Sequence, residues 1–425
     1  MTNARPRIVI TGIGLLSPIG IGTDAFWQSL MAGKSGVKTI TLFDPAALPS
    51  RMAGEISDFD AKQFVDKKDR KNLKMMARSI QMGVAASTLA LRDSGLKLED
   101  EDATRIGIDF GASLIASDLE ELAPAAEVSC HAGPGEVDMQ LWGKEGLAAM
   151  PPLWMLKYLP NMPACHVSIL YNLQGPSNTV TENDVAGLLA IGEGERIIER
   201  GDADVMLTGG SDSRINLLSM TRLTLFHRFS QRNDAPAEAC RPFDSGRDGF
   251  VYGEGSTVLV LENLERAKKR SAKIYGEIVS CTSAHDRNRD GKGLARAIGA
   301  AMKQAGITVD QLDHINAQGY GHPDHDRMEA AGLKLAFNDK VPPVVAYKSY
   351  FGNMGAAGSS TELAASLLAL EHGMLPPTLN CTQVDPACSL PMQTTARPVT
   401  KDYFLKVSFS DMGQCAACVV RKFKD

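Results

Sequence analysis

The chain has 425 residues, with 45 Lys and Arg against 50 Asp and Glu for a formal charge of −5. Hydrophobic content of 44% and charged content of 22% are those of a globular protein with a sizeable core. This balance argues against a general affinity for nucleic acid or anionic membranes, and no apolar run reaches the length of a membrane span.

The first residues lack a signal-peptide pattern, and the eight cysteines are scattered through mostly apolar surroundings. Both features predict reduced thiols and a cytoplasmic protein. Residues 7–11 read as a strand entering Gly12-Ile13-Gly14-Leu15-Leu16-Ser17-Pro18. A third glycine is missing at the dinucleotide-fingerprint spacing and Pro18 interrupts a helix, so no nucleotide is expected there. Residues 26–32 form a short amphipathic helix. The segment 66–93 opens on a basic run and continues as a long helix through Leu91, stopped near Gly95. Residues 106–110 are a second strand. From 113 to 150 the pattern weakens and turns polar, and 151–175 is apolar but broken by Pro160 and Pro163. We read 113–175 as an excursion that packs on the surface or on a partner.

The stretch 175–210 organises the chain. Val185, Leu188, Leu189, Ile191, Ile197 and Ile198 mark a helix that Asn183 or Asp184 can cap and Gly201 can end. Its first half is apolar nearly all round, which predicts burial. A strand over 203–207 then runs into Gly209 and Gly210. A buried helix opening on a loop offers unpaired N–H groups and a positive dipole end, and Asp184 stands there.

After a mixed segment, 211–240, comes a glycine-rich loop, 241–255, and an apolar strand, 256–261. A second round of elements follows: strand 274–280, helix 293–306, strand 313–317, helix 326–337, strand 344–347, helix 360–372, and closing strands 404–409 and 415–421. The alternation predicts an α/β protein with mostly parallel sheets. No Pro/Ser-rich linker separates the rounds, so residues 1–264 and 265–425 are expected to pack tightly as two halves.

Several motifs carry a resemblance. TGIGLLSPIG at the start, GPS before the central helix, GDADVMLTGG after it and RPFDSGRDGFVYGEGSTVLVLE resemble the β-ketoacyl-(acyl carrier protein) synthases. NAQGYGHPDHDRMEA and KSYFGNMGAAG are similar to that family's signatures as well. The resemblance covers nearly the whole chain. It implies a thiolase-like α/β fold, two similar halves in a five-layered αβαβα architecture, dimeric through the first half.

The resemblance also marks departures. Active members carry a cysteine nucleophile where Asp184 stands here, one histidine where Gln318 stands and a second where Asn353 stands. Tyr320 and His322 occupy the places of two small hydroxyl residues that hold the pantetheine arm at the substrate entrance. Asp411 replaces a gating phenylalanine, while Lys348 and Glu362 match retained positions. Claisen condensation by this route needs a thiolate to accept the acyl group and donors that stabilise the enolate. Gln318 and Asn353 donate hydrogen bonds but do not titrate. The expectation is a chain-length-factor-like partner of an active ketosynthase in polyketide, polyene or fatty-acid biosynthesis, without condensing activity of its own. Two alternatives are an altered enzyme acting on acyl thioesters through Asp184, as a decarboxylase or hydrolase, and a homodimeric scaffold.

Plainer explanations suffice elsewhere. His322-Pro323-Asp324-His325-Asp326 has the density but not the spacing of a tetrahedral metal site, so no metal and no cofactor are expected. Cys415 and Cys418 fall on opposite sides of a strand. Lys67, Lys68, Arg70, Lys71 and Lys74 form a solvated face or, as the resemblance implies together with Arg228, a docking site for an acidic acyl carrier protein.

Overall fold

One topology is written twice along the chain. The computed structural model describes residues 5–130 and 135–424. The first half supplies β1 (Ile8–Ser17), β2 (Ile106–Gly111), β3 (Ser177–Val180), β4 (Val205–Ser213) and β5 (Glu254–Asn263). The second supplies β6 (Gly276–His285), β7 (Leu312–Asn316), β8 (Val344–Val345), β9 (Tyr403–Phe409) and β10 (Gln414–Arg421). In each half the strands lie in the order first, fifth, fourth, second, third. The pairing senses repeat too: the first two pairs in that order are antiparallel and the last two parallel. The sheets are therefore mixed, which corrects the expectation of mostly parallel ones. The turn 410–413 between β9 and β10 has no room for the crossover helix that a parallel pair requires.

β1 and β6 pair through Ile8 with Ile278, Val9 with Glu277 and Ile10 with Gly276, which joins the two sheets along one edge. Each half carries three principal helices. They are α1 (Arg78–Ser94), α2 (Met162–Tyr171) and α3 (Ala186–Glu199), then α4 (Lys292–Ala305), α5 (Pro323–Phe337) and α6 (Gly358–His372). α1 with α2, and α4 with α5, cover the outer faces. α3 and α6 touch strands of both halves and each other, completing five layers. Every residue of α6 up to Leu370 is buried, as a helix enclosed on all sides must be.

The two inner helices begin at backbone contact. A Cβ added at Gly187 would lie 2.6 Å from the Ala356 carbonyl oxygen, and one at Gly210 would lie 2.2 Å from it. Only glycine permits that approach. α3 opens through a tight turn, Asn183–Val185, with Asn183 at φ 51°, and ends before Gly201 at φ 77°, the stop read from the sequence. α1 ends at Gly95 in the same left-handed conformation.

Some elements differ from expectation. β4 runs through Gly209 and Gly210 to Ser213 instead of stopping before them, because glycines at a close contact belong inside this strand. The edge strand β3 is four residues with little apolar content, too short for a periodic signal. Helices Leu119–Ser129, inside the excursion, and Leu217–Phe226, inside the mixed segment, lack a clear apolar stripe. Cys415 and Cys418 do fall in separate cores on the two faces of β10.

Gly210→Ala should lower stability by about 1–3 kcal/mol, because its methyl group forces apart β4 and the start of α6. Denaturant unfolding measures this; an unchanged midpoint would show that the contact relaxes freely.

Candidate functional site

Asp184 lies in the turn that opens α3 and is 5% exposed. Its side chain makes no cap bond, contrary to the sequence reading. The Leu188 N–H, one of the free donors of that helix start, goes instead to Ser359 Oγ at 3.0 Å. Asp184 Oδ2 accepts from the Tyr320 hydroxyl at 3.0 Å, and the Asp184 carbonyl accepts from Ser408 Oγ at 3.3 Å. Oδ1 has no hydrogen-bond partner among the described residues; Arg214 Nη2 stands 3.9 Å from it. Arg214 also meets Asp212 (Nε to Oδ2, 3.2 Å) and donates to Ser113 Oγ at 3.0 Å. Burial opposes its charge, yet Asp212 and Asp184 hold its pKa above the ordinary value.

Gln318 is fixed at both ends. Its Nε2 donates to the Tyr320 oxygen at 3.0 Å, and its Oε1 accepts from Ser408 Oγ at 2.9 Å. Tyr320, 1% exposed, also reaches the Phe409 carbonyl at 2.8 Å, and burial followed by Asp184 pushes its pKa well up. Lys348 Nζ sits 5.4 Å from its ring centroid. Lys348 and Lys406 both pair with Glu362, and all three are fully buried. Asn353 Oδ1 accepts from the Gly355 N–H at 3.2 Å, while its buried Nδ2 has no partner among the described residues.

A cleft of about 440 Å³ opens beside Asp184, Arg214, His227 and Asp411. A second, about 250 Å³, is lined by His322, His325, Phe409 and Asp411. Asp411 stands in the wall of both. Its carboxylate pairs with His325 Nε2 and lies 3.5 Å from His227 Nδ1; His325 Nδ1 in turn is 3.0 Å from His322 Nδ1. Burial works against the Asp411 charge, but the His325 hydrogen bond and nearby cations hold its pKa low. Burial, then His325, pushes His322 down to about 4.

The structure thus links Asp184, Tyr320 and Gln318 in one network, places Asp411 across the cleft from Asp184 with His325 and His227 as its partners, and sets Lys348, Glu362 and Asn353 behind them. His322 lies in the second cleft. Lys67, Lys68, Arg70, Lys71, Lys74 and Arg228 are exposed and take no part in the network. Arg214, His227 and Ser408 were missed, and His325 was weighed only as a metal ligand. Asp212-Ser213-Arg214 at the end of a buried strand was the available signal, since two charges there need partners.

Residues 5–267 match the family described as Beta-ketoacyl synthase, N-terminal domain, and residues 272–382 match Beta-ketoacyl synthase, C-terminal domain. The chain is 35% identical to 3-oxoacyl-(acyl-carrier-protein) synthase 2 of Vibrio harveyi, over 99% of this chain and 100% of that one. It is 36% identical to the Tetracenomycin polyketide synthase ketoacyl synthase alpha subunit of Streptomyces glaucescens, over 100% and 99%. Among solved structures, the ishigamide ketosynthase/chain length factor superposes with a TM-score of 0.88 at 28% identity, covering 99% and 100%. A type II PKS acyl-carrier protein in complex with its ketosynthase bound to the hexaketide gives 0.85 at 26% identity, with the same coverage.

Glu362→Gln should cost about 3–5 kcal/mol, because two buried ammonium groups lose their counter-charge. Chemical denaturation checks it; a cost below about 1 kcal/mol would mean that the lysines deprotonate or hydrate readily. The His322 depression has a sign of its own. Between its ordinary value of 6.5 and about 4 the unfolded chain binds more protons than the folded one. His322 should therefore reduce stability as pH falls through that window, and His322→Gln should flatten the drop in melting temperature.

Proposed function

The chain belongs to the β-ketoacyl synthase family, and we propose that it serves there as a non-condensing, chain-length-factor-like partner of an active ketosynthase. The product class is polyketide, polyene or fatty-acid. The observation that carries this reading is Asp184, held by Tyr320 at the start of α3, where the family's chemistry places a thiol. A carboxylate is a poor acceptor of acyl groups from thioesters, and none of the cysteines lines the Asp184 cleft. Gln318 and Asn353 supply neither a base nor an acid.

The surface supports a partner. β3 lies at the end of the sheet with its outer edge unpaired among the described residues. Leu119, Met139, Leu147, Leu153, Met155 and Ile169, all in the 113–175 excursion, are exposed apolar side chains. Exposed apolar side chains gathered in one segment support an interface there. The exposed basic run beginning at Lys67, with Arg228, suits an acidic carrier protein approaching the pair.

A second reading rests on one observation. Asp184 Oδ1, without a hydrogen-bond partner among the described residues, shares its cleft with the His227 imidazole, an arrangement able to activate a water against an acyl thioester.

One experiment separates these readings. The chain, an intact ketosynthase from the same source, and the co-expressed pair are each given acyl carrier protein loaded with labelled acyl groups. The label should stay on the ketosynthase alone, the two chains should purify one to one, and full-length product should require both. Stable label on this chain, or full product without it, rules out the partner reading. Loss of label as free acid in the presence of this chain alone, abolished in Asp184→Asn, establishes hydrolysis instead.

A further inference from the structure

The excursion carries an arm of two helices that pack mainly on each other. Leu119–Ser129 is one, and Met139–Leu141, Trp142–Gly146 and Leu147–Ala149 run on as the other, helical at each junction. The Asp138 N–H donates to the Ser129 carbonyl at 2.9 Å and ties the two together. Their closest approach is between small residues. A Cβ added at Gly146 would lie 2.9 Å from Ser129 Oγ and 3.2 Å from the Ala125 carbonyl oxygen. Among the described residues of the arm, Ala125, Ser129 and Gly146 are the buried ones. At the base, Glu121 meets Lys157 Nζ at 2.6 Å and accepts from the Tyr158 hydroxyl at 2.7 Å.

The arm therefore buries no large side chain. Leu119, Val128, Val137, Met139 and Leu147 stay exposed, Met139 at 72%. A helix of 11 residues with Pro124 inside it is marginal in water unless another surface packs on it. Charge says which kind of surface fits. Glu120, Glu127, Glu136, Asp138 and Glu145 stand beside those apolar positions, all exposed and without an ion pair among the described residues. Against them the described part of the arm carries one cation, Lys144. A symmetric pair built on this segment would set the same acidic surface against itself, and juxtaposed like charges are costly. An acidic carrier protein meets the same repulsion.

We propose that the arm docks on an apolar face ringed by lysine or arginine on an active ketosynthase subunit, and that its carboxylates select that subunit over a second copy of this chain. The inference rests on the partner role proposed above and adds the chemistry of the partner's face. The apolar side chains supply buried area, and the carboxylates decide which chain covers them.

Analytical ultracentrifugation tests it on this chain alone and mixed with the intact ketosynthase from the same source. The wild-type pair should form in preference to the homodimer and weaken about threefold or more between about 50 and about 500 mM salt. Glu120→Gln, Glu127→Gln and Glu145→Gln together should weaken the pair about tenfold, remove most of that salt dependence and strengthen the homodimer. Met139→Ser with Leu147→Ser should weaken the pair about tenfold and leave its salt dependence in place. These five side chains are exposed, so the variants keep the fold, which an unchanged melting temperature checks. A pair whose affinity ignores either set of substitutions overturns the arm's role and leaves the partner reading standing. A wild-type chain that binds no ketosynthase, or prefers its own copy, overturns both.

Discussion

One carboxylate answers two buried ammonium groups beneath the Asp184 cleft, and the site is built on that arrangement. Glu362 in α6 pairs with Lys348, which follows β8, and with Lys406 in β9. Three charges without water hold only if each finds a partner, so the triad fixes the inner helix against the second-half sheet. Asn316 Nδ2 adds a bond to the Glu362 carbonyl at 2.5 Å, and Lys406 reaches the Ala317 carbonyl at 3.1 Å. Burial, and then Lys348, draws Lys406 down to about 8, even with Glu362 opposing. The segment carrying Gln318 and Tyr320 starts directly after these anchored residues. Its position follows from the triad.

The second constraint is steric. α3 and α6 enter between the sheets with their starts in contact, so residues from both halves are brought to one point. Asp184 comes from the first half, and Tyr320, Ser408 and Phe409 from the second. A repeated half-fold produces this meeting because each copy begins one inner helix at the same level. Gly187 and Gly210 make the approach possible, and Ser359 on one helix satisfies a donor at the start of the other.

The long elements were legible from periodicity alone. α1, α3, α4, α5 and α6 and the apolar strands appear within a few residues of their expected bounds, because burial on one or all faces leaves a regular pattern. β3 and the helices at 119–129 and 217–226 were not legible, being short or weakly patterned. Asp184 was legible from its place at the opening of a buried helix, while Gln318, Asn353 and Asp411 were legible only through the motifs that resemble a family. The pairing of Arg214 with Asp184 and of His325 with Asp411 joins residues 30 or more positions apart. No local pattern encodes such contacts. The Asp184 cap failed for a related reason: local rules favour a cap, but a phenol from the other half gave the carboxylate a buried partner and Ser359 took the helix donor.

Hydrogen-bond accounting then says what the cleft has left to offer. The single Tyr320 proton is divided between Asp184 Oδ2 and the Phe409 carbonyl, and the single Ser408 proton between the Asp184 carbonyl and Gln318 Oε1. The Asp411 carboxylate is shared between His325 and His227. Two buried groups here have no hydrogen-bond partner at all among the described residues, the acceptor Asp184 Oδ1 and the donor Asn353 Nδ2. Buried polar groups seldom stay unpaired, so these two atoms are where a water or a ligand atom is drawn. A network this fully committed resists rearrangement, because moving Tyr320 breaks its bonds to Asp184, Gln318 and Phe409 together. The carboxylate at the start of α3 therefore acts first as a rigid joint between the two halves, and any chemistry at the cleft has to work through its one free oxygen.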